Sequence, residues 1–207
     1  MKISAPMLIA DLTEMYELPD EDEFEHISME SAYLAYEDLH AREFRGCVFR
    51  KVNFSSADLS RAGFVDVVFD HCDLSGVKME DAVFQRVRFI GCRITGANMI
   101  HAIARDTVFT ECRMDYLNIN RIKTDWVQFT DCIMREAAME ECTFKHTEWD
   151  ECDLTRATIH MTSMKGLDLR TCQLDGITIG LGDVRGMIVN TQQAIGLSQL
   201  LGLVIKE

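Results

Sequence analysis

The sequence predicts an all-β fold, a parallel β-solenoid of four sides and about eight coils with a short α-helix at its C-terminal end. Three observations predict it: a five-residue spacing of large apolar side chains, a twenty-residue spacing of like residues, and a frame without insertions from Leu34 to Ile179. Helices repeat about every 3.6 residues and half-buried strands about every second residue, so neither produces a five-residue period. A short fixed repeat indicates a stack of similar coils.

The five-residue spacing is clearest between Phe109 and Leu174, where only Thr124 interrupts a series of large apolar residues at every fifth position. The residue two places earlier is small or compact, as at Cys112 and Ala137. All eleven Phe fall at numbers ending in 4 or 9, and all eight Cys fall at numbers ending in 2 or 7. We therefore expect these two positions of each unit to point inward and the other three to point outward.

The twenty-residue spacing sets the number of sides. Like residues at every fourth unit predict a coil of four sides, with the next coil stacked directly above it at about 4.8 Å. Ala104 and Thr124 stand where large residues are expected on one side, which predicts a thinner core or a shallow groove there. The two columns with the clearest spacing are Cys72, Cys92, Cys112, Cys132, Cys152 and Cys172, and Phe49, Phe69, Phe89, Phe109, Phe129 and Trp149.

Individual units carry a family resemblance. Residues 57–61 (Ala-Asp-Leu-Ser-Arg) and 152–156 (Cys-Asp-Leu-Thr-Arg) resemble the A(D/N)LXX unit of the pentapeptide-repeat proteins. The resemblance covers about three quarters of the chain. It implies the fold of that family, a right-handed quadrilateral β-helix.

Three regions follow from the pattern. Residues 1–30 are predicted to form an acidic N-terminal cap segment, because residues 11–30 carry nine acids and no Lys or Arg. This segment either protects the first coil or attracts a basic partner, and the two roles are compatible. Residues 31–189 hold the repeats, with an irregular first coil because Glu37 and Arg42 occupy inward positions.

Residues 190–207 change period and predict a short helix that begins after an N-cap at Thr191 and ends near Gly202. The apolar residues of this tail either seal the last coil or dock on a second copy of the chain. The residues assigned to a dimer interface are Leu197, Leu200, Leu201 and Leu203, with Val204 and Ile205 beyond them.

The sequence contains no recognisable catalytic constellation, so we expect a protein that is not an enzyme. The six His are dispersed, no HExxH or CxxC motif occurs, and residues 180–186 (GLGDVRG) do not form a dinucleotide-binding GxGxxG motif. A column of thiols presents its sulfurs in a line, whereas zinc ligands converge on one point, so the cysteines are expected to pack as small apolar residues. No cofactor, metal or small-molecule substrate is expected.

The first residues lack a leader pattern and no apolar run is long enough to span a membrane, so we expect a soluble cytoplasmic protein without a membrane partner.

Charge is the remaining functional signal. The formal net charge is −13, which argues against direct binding of nucleic acid. Glu111, Asp131 and Glu151 are twenty residues apart and should stack along one edge, while Asp70 and Asp150 belong to the adjacent outward column. These five acids are the predicted partner-binding residues. Another outward column is expected to form a basic stripe, composed of Arg45, Arg105, Lys145, Lys165 and Arg185.

Within the pentapeptide-repeat family, the chain most resembles the Qnr-type quinolone-resistance proteins of Gram-positive bacteria. The resemblance lies in residues 163–169 (SMKGLDL) and in residues 193–195 and 201–205 of the tail. It implies a rod-shaped homodimer, joined through the C-terminal helices, that mimics duplex DNA and binds DNA gyrase and topoisomerase IV, shielding them from fluoroquinolones. The unbroken frame departs from Gram-negative members, whose coils carry projecting loops. The alternative is a pentapeptide-repeat scaffold with no topoisomerase role.

Overall fold

The computed structural model describes residues 2–203. Val204 and Ile205, which the sequence assigns to the C-terminal seal or interface, therefore lie outside the described residues. Within them the chain winds as a parallel β-solenoid of about eight coils that ends in one short helix, as the sequence predicts.

The strands are short where the coil bends and long where two sides run together. They are β1 (Thr13–Glu14), β2 (Glu23–Glu25), β3 (Ile27–Glu30), β4 (Glu43–Arg45), β5 (Val48–Arg50), β6 (Gly63–Asp70), β7 (Val83–Ile90), β8 (Ile103–Thr110), β9 (Lys123–Thr130), β10 (Ala138–Glu140), β11 (Thr143–Asp150), β12 (Thr158–His160) and β13 (Thr178–Ile179). Helix α1 spans Thr191–Leu197, and a 3-10 turn spans Ser198–Leu201.

From β2 onward, the ladders between strands pair residues twenty apart, which confirms the predicted register, whereas β1 pairs with β3 at an offset of fourteen. Phe64 pairs with Phe84 and Phe89 with Phe109, in parallel. The larger sheet has the order β1-β3-β5-β6-β7-β8-β9-β11 along its main path, and the smaller has the order β10-β12-β13. We number the sides by their central residues: the first side is centred on Phe64, and the second, third and fourth are centred on 69, 74 and 79. Coils are counted from Glu23, twenty residues each.

The core is the interior of the coil, and its two columns are the predicted inward positions. Phe69, Phe89 and Phe109 are buried and stack face to face, with ring centroids 4.8 and 4.6 Å apart. Trp149 continues the column above Phe129 at 4.4 Å. Stacked aromatic pairs contribute roughly 0.5–1.5 kcal/mol each beyond the apolar area that they bury. This interior holds the coils together.

The eight cysteines are free and buried, as packing side chains would be. In the main cysteine column, the thiols from Cys72 to Cys152 lie near the backbone carbonyl twenty-three residues earlier; Cys112 Sγ, for example, donates to the Phe89 carbonyl oxygen at 3.5 Å. Burial raises the pKa of Cys47 and of Cys142 to about 11. Because the neutral thiol is the form that packs in the core, these residues are poor nucleophiles at neutral pH.

The chain turns from side to side at a residue with left-handed backbone. From His26 to Gly166, every fifth residue has a positive φ, and most of these residues are not glycine. An L-residue in this conformation costs roughly 1–2 kcal/mol. The ladder offsets the cost, since most of these corner amides donate a hydrogen bond to the carbonyl oxygen nineteen residues later, as Glu111 does to Thr130 at 3.0 Å.

The third and fourth sides bend more sharply than the first two, and in several coils an Asp or Asn side chain closes the turn. Asp58 Oδ1 accepts the amide N–H of Ser60 at 3.0 Å, and Asp153 Oδ1 accepts that of Thr155 at 3.0 Å. This bond from a side chain to the amide two residues later closes a local turn. On the first and second sides of the middle coils, this position holds residues other than Asp or Asn, such as Val68, Val83 and Lys123, and the backbone is extended.

The two weak units are a packing irregularity. Ala104 and Thr124 are buried, and the ladder runs through both in register. The Thr124 hydroxyl is satisfied inside the core, where its Oγ1 lies 2.6 Å from Thr147 Oγ1. The expected groove therefore does not form at these residues.

The C-terminal helix begins one residue earlier than predicted. Asn190, not Thr191, is the N-cap: its side chain accepts the Gln193 amide at 2.9 Å while the Gln193 side chain accepts the Asn190 amide at 2.8 Å. This reciprocal capping box satisfies two amides that a single threonine cap would not. The predicted end near Gly202 is confirmed, since Gly202 is left-handed with φ 70°.

The corner conformation can be tested at an exposed position. Met161 has φ 50° and is 62% exposed, so its side chain contributes little to the packing of the core. Met161→Val places a β-branched residue in the left-handed region and should lower the free energy of unfolding by about 1 kcal/mol. The control Thr158→Val, in the exposed part of β12, should change it by less than about 0.5 kcal/mol. Urea unfolding followed by tryptophan fluorescence measures both, and equal losses would contradict the corner assignment.

Candidate protein-binding surface

Three of the four long edges of the solenoid neutralise their charges by stacking opposite signs. Residues twenty apart on adjacent coils form these pairs, so their geometry follows directly from the register. The pairs are Asp66 with Arg86 at 2.6 Å, Glu136 with Arg156 at 3.6 Å, and Arg121 with Glu141 at 3.1 Å. On the last of these edges Asp81 also lies 3.6 Å from His101, which carries a charge only when protonated. Because equivalent positions of adjacent coils lie above one another, the fold can place opposite charges side by side. On these three edges it does.

The fourth edge stacks like charges instead. Glu111, Asp131 and Glu151 follow one another on successive corners between the second and third sides, with φ of 53, 52 and 51°. We call these three residues the acidic edge. Asp131 shares a hydrogen bond with Glu151 and repels its charge, which raises the pKa of Glu151, and Asp150 adds to the repulsion. The predicted column is present, and within it Asp131 and Glu151 repel each other.

The other two predicted acids lie beside this column but far apart along it. Asp150 flanks Glu151 and accepts a hydrogen bond from the Thr171 hydroxyl at 3.0 Å. Asp70 lies on the same outward column four coils below and is 2.5 Å from His71 Nδ1. Asp150 therefore joins the acidic edge, whereas Asp70 forms a separate pair with His71.

The predicted basic stripe is interrupted. Asp125 stands in the same column and binds Lys145 Nζ at 3.0 Å. Arg45, at the lower end of the column, is 3.4 Å from Glu43. This surface is mixed in charge, unlike the acidic edge.

The N-terminal segment covers the edge between the first and second sides, a feature that the sequence did not predict. Residues 2–10 run lengthwise over the coils. The amide of Met7 donates to Asp66 Oδ1 at 2.8 Å, the amide of Ser4 donates to Asp106 Oδ1 at 2.8 Å, and Arg88 donates to the Ser4 carbonyl at 2.7 Å. The acidic part that follows is tied to the first coil by Arg42, which binds Asp20 and Asp22 at 2.9 and 2.7 Å.

Asp66 anchors this segment, and its protonation should release it. Burial opposes the charge of Asp66, but hydrogen bonds from Arg86 and from the Met7 amide lower its pKa below the usual value. A lowered carboxyl pKa stabilises the fold above the unfolded-state pKa of about 3.9 and loses that effect as pH falls. Asp66→Asn should cost about 2 kcal/mol and speed hydrogen exchange at Met7. Unchanged exchange at Met7 would show that another contact holds the segment.

The residues assigned to a dimer interface divide into two groups. Leu197 and Leu200 are half-buried and pack against the last coil, so they seal the core. Leu201 and Leu203 point outward and are 64% and 55% exposed. Gln193 Nε2 fixes the helix to this coil through the Leu169 and Cys172 carbonyls, at 2.7 Å each.

A cleft of about 910 Å³ on the third side is lined by four arginines and three carboxylates, and three of the arginines are paired. Arg113 pairs with Asp115 at 3.0 Å, and Arg135 pairs with Asp153 at 2.6 Å. In the described part of the chain, no group of three or more His, Cys, Asp or Glu side chains is arranged to hold a metal ion. Among the same residues, no helix is long and apolar enough to cross a membrane.

Two family models match the repeats. The pentapeptide repeat region model matches residues 62–131, and the pentapeptide repeats model, with eight copies, matches residues 38–64 and 132–170. Together they cover well over half of the chain, from residue 38 to residue 170. The chain belongs to the pentapeptide-repeat proteins.

Solved structures with a related fold include HetL, a pentapeptide repeat protein involved in heterocyst differentiation regulation from the cyanobacterium Nostoc sp. It is 16% identical with a TM-score of 0.44, over 81% of this chain and 89% of HetL. Full-length QnrB1, a plasmid-mediated fluoroquinolone resistance protein, is 20% identical with a TM-score of 0.32, over 87% of this chain and 90% of QnrB1. A trypsin-treated QnrB1 variant is 18% identical with a TM-score of 0.37, over 97% and 100%. No curated protein matches the sequence.

Proposed function

We propose that this protein mimics duplex DNA, binds the type II topoisomerases DNA gyrase and topoisomerase IV, and protects them from fluoroquinolones. The observation that carries the proposal is the acidic edge. Its three carboxylates repeat at the coil spacing, and Asp131 repels Glu151, while the other edges pair opposite charges. Because the fold leaves this repulsion in place, we expect a basic partner to neutralise it.

The magnitude of the charge fits this role. Eight coils at about 4.8 Å form a rod of about 38 Å. With a net charge of −13, the rod carries about one negative charge per 3 Å, compared with one per roughly 1.7 Å of duplex DNA. A surface with about half the line charge of DNA attracts a DNA-binding groove at a distance and does so less strongly as salt rises.

The residues at positions 163–169 and 193–205 that resemble Qnr-type proteins support the choice of partner. These residues contain no catalytic motif, and we propose that the protein acts by binding alone. The acids assigned to the partner are Glu111, Asp131, Asp150 and Glu151, with Asp70 as an outlying contact.

The first experiment is a gyrase supercoiling assay with purified protein, with and without ciprofloxacin, at two salt concentrations. We expect the protein to restore supercoiling in the presence of the drug and to do so less well at the higher salt. The double variant Asp131→Asn/Glu151→Gln should lose protection by about tenfold, because it removes charge that steers and orients the partner. Its thermal stability should not fall, since the two carboxylates repel each other.

The matched control is Glu80→Gln/Glu140→Gln, which makes the same change in net charge on the fourth side. It should alter protection by less than about twofold. Equal losses in both variants would mean that net charge, and not the acidic edge, is recognised. Inhibition of gyrase without rescue from the drug would keep the partner but remove protection. No effect at micromolar protein would contradict the proposal and favour a scaffold without a topoisomerase role.

We also propose a homodimer through the C-terminal end, because Leu201 and Leu203 expose apolar surface next to a sealed coil. Leu201→Asp should convert the dimer to a monomer in multi-angle light scattering, since the dimer contact would bury a charge. Gln192→Asp, on the exposed first turn of α1, places a charge on the same helix and should leave the dimer intact. A wild-type chain that scatters as a monomer at all concentrations would contradict the dimer.

A further inference from the structure

The N-terminal segment is held on the edge between the first and second sides by contacts to its backbone. Asp106 accepts the amide of Ser4 and Asp66 accepts the amide of Met7, both at 2.8 Å. Arg88 donates to the Ser4 carbonyl at 2.7 Å. Because these contacts are made to amides and a carbonyl, they recognise an extended backbone and not the side chains of Ser4 and Met7.

The spacing of the contacts is that of a polyproline II helix. Met7 lies at the third coil and Ser4 at the fifth, so three residues span two coils, or about 9.6 Å. Three residues of polyproline II complete one turn and rise about 9.3 Å. Burial follows the same turn, since Ile3 and Pro6 are half-buried and the two residues between them are exposed. A β-strand would bury every second residue instead.

The side chains that bind the backbone are fixed by the solenoid itself. Arg86 holds Asp66 through two hydrogen bonds, at 2.6 and 2.7 Å. Arg88 donates to the Val87 and Asp106 carbonyls at 3.0 and 2.9 Å. These groups therefore stay in place when the N-terminal segment leaves, and a site that is already ordered costs less to fill.

The N-terminal segment is joined to β1 by a tether that the solenoid does not hold. Residues 8–11 are exposed, and they form no hydrogen bond within the described part of the chain. A segment held by backbone contacts on such a tether can leave the edge without opening a coil. The edge is thus a site that another extended segment can enter.

The same edge continues above these contacts with an aromatic side chain. Trp126 stands at the next corner above Asp106, twenty residues later. Its ring lies flat on that of His146, with centroids 4.2 Å apart, and His146 Nδ1 is 2.9 Å from Asp125 Oδ1. Polyproline II segments dock on grooves that are lined by aromatic side chains. The edge therefore combines backbone acceptors, a backbone donor and an aromatic surface.

We propose that this edge is a docking site for a proline-containing segment of a partner protein in the polyproline II conformation, and that residues 2–10 occupy it until the partner displaces them. The partner segment carries an apolar residue and a proline three positions apart, like Ile3 and Pro6, and a free amide after each. One further turn places an apolar residue against Trp126. This added contact offsets the high effective concentration of a segment on the same chain. The site does not depend on a topoisomerase being the partner.

The test uses the full-length protein and fluorescein-labelled peptides without charged side chains, followed by fluorescence anisotropy. The peptide GVTSPTSG has the spacing of Ile3 and Pro6 for one turn, and GPTSVTSPTSG adds a turn. We expect the longer peptide to bind at least tenfold more tightly, and Trp126→Ala to remove most of this gain. The peptide GPTSVTSPPSG keeps the conformation but lacks the amide that Asp66 accepts, so it should bind at least tenfold more weakly than GPTSVTSPTSG.

Two changes test the N-terminal segment and the edge separately. Ser4→Pro/Met7→Pro removes both amides that hold the segment and should strengthen binding of the shorter peptide at least tenfold, with an unchanged circular dichroism spectrum. In that background, Asp106→Ala should weaken binding about tenfold. The matched control Asp131→Ala makes the same change at a corner of the acidic edge and should weaken it less than twofold.

Equal binding of the peptide that lacks the amide, or no gain from Ser4→Pro/Met7→Pro, would overturn the proposal. Hydrogen exchange at the Ser4 amide tests a second copy as the occupant. Exchange that slows as the concentration of protein without peptide rises would also overturn the proposal, in favour of the N-terminal segment of another copy.

Discussion

The left-handed corner at every fifth residue is the constraint on which the rest of the structure depends. It turns the chain at fixed intervals, so each side has one length and each coil has twenty residues. Because most corner residues are not glycine, each corner carries a conformational cost of roughly 1 kcal/mol. The cost is offset only when the coils stack, because stacking lets the corner amides donate hydrogen bonds to carbonyl oxygens of the adjacent coil and buries the aromatic column. Corner, ladder and core therefore form together or not at all.

Fixed coil length also decides how charge is distributed. A residue can neutralise the one twenty positions away only if the two have opposite signs, and three edges follow this rule through pairs such as Asp66 with Arg86. The acidic edge does not, although the same geometry was open to it. The pKa of Glu151 is raised because Asp131 shares a hydrogen bond with it and because Asp131 and Asp150 repel its charge. A basic partner would remove that repulsion, so the edge that weakens the free protein is the one that favours a complex.

The sequence predicted the features that depend on the repeat and missed those that depend on contacts between distant residues. Sides, register, inward columns and the stacking of Glu111, Asp131 and Glu151 all follow from numbering alone. The N-terminal segment could not be predicted, because Ser4 and Asp106 are joined by a single hydrogen bond across a hundred residues of chain. The N-cap at Asn190 was missed because Thr191 has a similar propensity, and only the reciprocal bond with Gln193 distinguishes them. The fate of Leu197 and Leu200 was left open because an apolar helix face does not say which surface covers it.

The larger sheet ends at β11, and this break follows from the same constraint as the regular coils. Where a chain can change length, a switch from extended strand to turn is absorbed by an inserted residue or a bulge. Here the frame admits no insertion, so the turn made by Asp168 and Gly166 meets an extended strand of equal length below it. The mismatch is expressed as unpaired backbone between two coils that Thr162 and Thr171 still hold at the ends. Residues 163–169 thus change the local shape of the solenoid without changing its register, and the buried side chains of Met164 and Leu169 continue the core across this change.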